Sequence, residues 1–144
     1  LPSLLTVIDE DVFALPVESV VEIVRVPRSE VRTVHQQQTT TVRGRVVSVV
    51  YLAELFKWQG NVEDQAARED ITLVIVGSED REIALVVDRL LGEEDVVIKS
   101  MAENYKNVRG IAGASILGDG RVSLILDTGA IIDMSTAIEA EAAI

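Results

Sequence analysis

GASILGDGRVSLILD, from Gly113 to Asp127, reads as two strands joined at a tight turn. Ser115 to Leu117 lead into Gly118-Asp119-Gly120, and Arg121 to Leu126 lead out. Glycines on both sides of an aspartate suit a backbone that needs positive φ, and the flanking Val, Leu and Ile suit a pleated, half-buried surface. The stretch is a β-hairpin, and part of it occurs twice. Gly44 to Leu52 (GRVVSVVYL) runs parallel to Gly120 to Asp127 (GRVSLILD). Each copy meets a short helical pattern next, Leu52, Leu55 and Phe56 in one and Ile131, Ile132 and Met134 in the other. A second pair repeats in the same order: Val12 to Glu18 (VFALPVE) aligns with Glu82 to Asp88 (EIALVVD). Two motifs in one order, in halves of about 70 residues, indicate a duplicated β module.

Valine and isoleucine make up 36 of the 144 residues, whereas aromatics are only 3%. Many short β-branched runs with few long helical periods predict an all-β protein. About five strands per repeat fit two small five-stranded barrels with short helices better than one large sandwich. The spacing predicts a first subdomain over 10–65, a second over 66–130 and a C-terminal helical tail over 131–144. The polar, acidic run Gln59 to Asp70 is the expected connector. His35 to Thr40 (HQQQTT) reads as a mobile loop, Gly92 to Asp95 as a turn, Val96 to Ile98 as a strand and Met101 to Val108 as irregular or weakly helical chain.

The net charge of −11 is uneven: residues 1–60 carry −1 and residues 61–144 carry −10. So acidic a half repels phosphate backbones, which argues against a nucleic-acid partner. With no cysteine there is no disulfide and no thiolate metal site. The longest apolar runs fall far short of the ~20 residues of a membrane helix. A start at Leu1-Pro2 suggests a soluble piece of a longer chain.

The residues carry little catalytic chemistry, and no cofactor or metal is expected. Gly110, Gly113, Gly118 and Gly120 lack the lysine–serine/threonine ending of a phosphate loop. Ser115 fails the nucleophile-elbow pattern at its second glycine. Asp88 and Asp127 close equivalent strands and suit turn or cap roles. His35, the single histidine, reads as an exposed loop residue, and Trp58 as either an interface anchor or a local packing residue.

The same residues resemble a known family, the CheW-like domains of bacterial chemotaxis. The likeness rests on Ala14 to Val17 with Val20 to Val24, Val42 to Val46, Val86 to Gly92, Asp95 to Ser100 and Gly113 to Asp127, and it covers about Leu4 to Ile132. Asp95 to Ser100 followed by Gly113 to Val122 is more similar to the regulatory domain of chemotaxis histidine kinases than to the stand-alone adaptor. The resemblance implies a pair of SH3-like barrels and a non-catalytic role in the cytoplasm, at membrane-associated chemoreceptor arrays. It implies docking to a CheW-type coupling protein, to the chemoreceptor tip and to other domains of a parent kinase. Members often carry a glutamate on the third strand and an arginine just before a glycine at the fourth. Glu22, Arg43 and Gly44 match those positions, Arg45 follows, and Glu22 and Arg43 are expected to pair. Gly118, Asp119 and Gly120 are expected as a structural turn. Two alternatives stay open: a stand-alone adaptor of the same fold, and a small hydrolase using Ser115 or the Asp88 and Asp127 carboxylates.

Overall fold

The computed structural model describes residues 1–58, 68–78, 80–99 and 108–142. Most of the expected connector (59–67) and of the irregular segment (101–107, with Met101) lies outside the described residues. Among the described residues eleven strands and two α-helices follow one another: β1 (Pro2–Ile8), β2 (Asp11–Pro16), β3 (Val20–Pro27), β4 (Arg32–Val34), β5 (Gln37–Val42), β6 (Arg45–Val50), α1 (Leu52–Phe56), β7 (Asp70–Ser78), β8 (Arg81–Val87), β9 (Arg89–Asp95), β10 (Ile111–Ile116), β11 (Val122–Leu126) and α2 (Thr128–Ala142). They form two sheets, ordered β10-β11-β2-β1-β9 and β3-β7-β8-β6-β5-β4. The protein is all-β, as expected, with five and six strands where five and five were expected.

The sheets do not follow the linear division into 10–65 and 66–130. β1 and β2 leave the first half to join β9, β10 and β11, while β7 and β8 join β3 to β6. The duplication survives this exchange to the level of register. In the first sheet β11 runs parallel to β2, with Leu124 opposite Phe13 and Ile125 opposite Ala14. In the second, β6 runs parallel to β8, with Ser48 opposite Ile83 and Val49 opposite Ala84. Under the alignment read from the sequence these are the same pairs. Each sheet therefore joins the Gly-Arg strand of one half to the Ala-Leu strand of the other. The bulges correspond too. The β1–β9 ladder slips between Leu5–Gly92 and Thr6–Leu90, and the β3–β7 ladder between Glu22–Ile75 and Val20–Val76.

Each sheet must roll up. A flat six-stranded sheet would hold β3 and β4 about 24 Å apart at ~4.8 Å per strand. The chain from Pro27 to Arg32 reaches at most about 17 Å. In the first sheet the strap after β9 returns to β10, where Lys99 and Ala114 exchange backbone hydrogen bonds of 2.8 and 3.2 Å.

Period-2 alternation then buries both faces of the central strands, which is why they read as unbroken apolar runs. On β8, Ile83, Leu85 and Val87 enter a core shared by both sheets and the helices, while Ala84 and Val86 fill the second barrel. On β2, Phe13 and Leu15 enter the shared core, while Val12 and Ala14 fill the first barrel. Ile131 and Ile132 anchor α2 in the shared core, so the helix is part of the body of the protein from Thr128 onward.

Two expectations are corrected. Gln37 to Val42 is strand β5, and only His35 and Gln36 turn, with φ of 51° and 66°. Threonine favours strands, and buried Thr40 donates its hydroxyl to the Glu30 carbonyl at 3.1 Å. Gly92 to Asp95 belongs to β9, and Val96 to Ile98 is a strap outside the named strands. β9 is an edge strand exposed along its length, and Glu93, Glu94 and Asp95 are the charges that keep such an edge from pairing with another chain.

Candidate interaction surfaces

Arg43 and Gly44 form the two-residue β5–β6 turn, with φ of 51° and 80°. Both central residues of such a turn need positive φ, which makes glycine the natural second residue. The turn projects Arg43 toward β3, and its Nε lies 3.0 and 3.2 Å from the two carboxylate oxygens of Glu22. The expected pair is present. Arg45 reaches the same carboxylate at 3.6 Å and Glu82 of β8 at 3.2 Å. Four side chains from four elements thus make one network, with Glu22 its most enclosed member. Glu82 was missed in the sequence. Its signal was a charge where the aligned copy carries apolar Val12.

The counterpart turn in the first barrel is built differently. Arg121 donates its backbone amide to Asp119 Oδ1 at 3.0 Å and its Nε to Oδ2 at 2.6 Å. The amide first, and then the guanidinium, hold the Asp119 carboxyl below its ordinary range. Gly118, Asp119 and Gly120 thus lie at the tip joining β10 to β11, closed by the Gly120 amide donating to the Leu117 carbonyl at 2.9 Å.

Both barrels carry apolar residues on their outer faces. Val46 on β6 is 71% exposed, and its repeat counterpart Val122 on β11 is 61% exposed. Val122 faces Ile116, which is also exposed. Val46 and Val34 line a groove of about 400 Å³ with Thr39, Thr41 and Arg32. Val21 and Ile23 on β3, and Leu90 and Leu91 on β9, extend the apolar surface of each barrel.

The residues weighed for hydrolysis serve the fold. Ser115 is buried opposite Ser123. Asp127 accepts the Ala130 amide at 3.1 Å and so caps α2. Asp88 accepts the Asp9 amide at 2.6 Å and pairs with Arg68 at 3.2 Å. His35 is exposed in its turn. Trp58 packs within the chain against the shared core, stacked 5.1 Å from Phe56 and 5.9 Å from Phe13. Among the described residues no group of acidic or imidazole side chains is placed to hold a metal ion, and no helix is long and apolar enough to cross a membrane.

Two interlocked barrels with apolar and charged side chains turned outward define an all-β module suited to protein contacts. The comparisons give the family: the CheW-like domain model matches residues 2–136, and the chain belongs to that family. It is 41% identical over 137 residues to the sensor histidine kinase CheAY of Helicobacter pylori, covering 95% of this chain and 17% of the kinase. It is 38% identical over 129 residues to the chemotaxis protein CheA of Bacillus subtilis, covering 90% of this chain and 19% of that protein. The chain thus spans less than a fifth of the length of these curated relatives. The crystal structure of the scaffolding protein TtCheW from Thermoanaerobacter tengcongensis matches with a TM-score of 0.68 over 88% of each chain, at 14% identity, which establishes a shared fold.

Proposed function

We propose that this chain is a non-catalytic scaffold module of bacterial chemotaxis. In this reading it docks a kinase of the CheA type to a CheW-type coupling protein and to chemoreceptor tips, so that receptor state reaches the kinase. Its place is then the cytoplasm, at membrane-associated receptor arrays. The observation that carries the reading is the recurrence of one outward valine, Val46 and Val122, at the same repeat position on both barrels. Such residues leave most of their surface uncovered within the chain, and apolar patches of this kind mark contact sites. Glu22, Arg43, Gly44 and Arg45 support the second-barrel surface by fixing the turn beside Val46. A kinase-derived module is favoured over a stand-alone adaptor by identities of 41% and 38% to two chemotaxis kinases.

Hydrogen exchange of the chain saturated with a CheW-type coupling protein tests this. Slowed exchange confined to β3, the β5–β6 hairpin or the β10–β11 hairpin is the expected result. A bound partner that protects none of these would overturn the assignment of the surface.

A further inference from the structure

Because the barrels share one plan, each position in one has a counterpart in the other that acts as an internal control. Three differences set the first barrel, with its β10–β11 hairpin, apart from the second. Ser115 faces Ser123 across it, 2% and 0% exposed, and neither hydroxyl has a hydrogen-bond partner among the described residues. In the second barrel the counterparts Thr40 and Val47 face each other in the same way. The Thr40 hydroxyl is bonded to Glu30, and Val47 has no polar side-chain atom to satisfy. A buried hydroxyl without a partner weakens the closed state, because it forfeits the water it bonds when open.

Among the described residues the first barrel also has the smaller filling, seven buried apolar residues against ten. Among the described residues the outer edge of β10 is held by one bridge, Lys99–Ala114, whereas β5 pairs with β4 at three positions. The inner edges are alike, three parallel pairs in each barrel.

We propose that the β10–β11 hairpin opens as a separate unit, ahead of β5–β6 and of global unfolding, and that a partner docked on Ile116 and Val122 holds it closed. The second part rests on the docking function proposed above. A ligand that binds only the closed hairpin shifts its population by that difference in affinity. The first barrel would then be the compliant docking surface and the second the preformed one.

Native-state hydrogen exchange of the free chain tests the opening without any partner. Amides of β10 and β11 are expected to exchange roughly 10- to 100-fold faster than those of β5 and β6. Ser123→Ala, which removes a hydroxyl without adding volume, is expected to slow β10–β11 by about threefold or more and leave β5–β6 unchanged. Val47→Ser is expected to speed β5–β6. Equal protection of the two hairpins, or faster β10–β11 exchange in Ser123→Ala, overturns the proposal. Saturation with a CheW-type coupling protein is expected to slow β10–β11 specifically. Binding that leaves β10–β11 exchange unchanged overturns the coupling. Absence of binding removes the docking function and the coupling together, while the free-chain comparison still decides the opening.

Discussion

Leu85→Ala probes the core that joins the two barrels. Leu85 is fully buried on β8 and packs in the shared cluster with Leu15, Phe13, Val50 and Ile131. Truncation removes its apolar contacts and leaves a cavity between rigid sheets, at a cost of about 3 kcal/mol within the usual 2–5. At roughly 2–4 °C per kcal/mol for a chain of this size, the melting temperature should fall by about 6–12 °C. Leu15→Ala, at the repeat-equivalent position, should cost a similar amount. Urea unfolding followed by Trp58 fluorescence and by far-ultraviolet circular dichroism makes the assay discriminating. Trp58 is the sole tryptophan and packs against the shared core, while dichroism reports both sheets. A single coincident transition is expected for the parent chain and for both variants. A loss below about 1 kcal/mol, or fluorescence and dichroism midpoints that separate, would refute a shared core.

Other consequences are more local. The Glu22→Ala and Arg43→Ala cycle should show a coupling of about 0.5 kcal/mol, reduced by salt, since Arg43 is largely exposed and water screens the pair. Strict additivity in urea would mean that the two side chains do not interact. Gly110 has φ of 93°, and an added Cβ would meet Phe56 at 2.9 Å and Ile131 at 3.0 Å. Gly110→Ala should therefore destabilise by about 2 kcal/mol or more, combining backbone strain with a clash in the shared core. Thermal melting that matches the parent would contradict that packing. Burial, the largest cause, raises the Tyr51 phenol above its ordinary value, partly offset by nearby Arg28. Above pH ~10 the unfolded chain ionises before the folded one. Stability from this group is thus complete below pH ~10 and falls as pH rises toward the folded value. Tyr51→Phe should flatten the alkaline side of the stability profile, and an unchanged slope would show that Tyr51 does not cause it.

The hairpin, the duplication and the all-β class were legible because they are written in local residues: glycine-bearing turns, β-branched runs and a repeated motif order. The Glu22–Arg43 pair was legible only through family resemblance. The exchange of strands between halves was hidden, because the parallel pairing of β2 with β11 joins residues more than 100 positions apart and leaves no local mark. The start of β5, Gln37 to Thr40, was read as loop because His35 and Gln36 adopt left-handed backbone without glycine or asparagine to announce the turn. β9 was missed because Gly92, an ordinary turn residue, sits instead beside a bulge in an edge strand. The buried faces of Ser115 and Ser123 could not be read either, since serine in a strand looks the same from either side.

Calorimetric titration of this chain with a CheW-type coupling protein from the same organism tests the central claim most directly. Saturable binding in the low-micromolar range, about −8 kcal/mol, is the expected result. It should weaken at least tenfold when Val46→Glu or Val122→Glu places a charge on the corresponding barrel. No heat of binding at high micromolar concentration, with both proteins folded, would contradict docking through these surfaces.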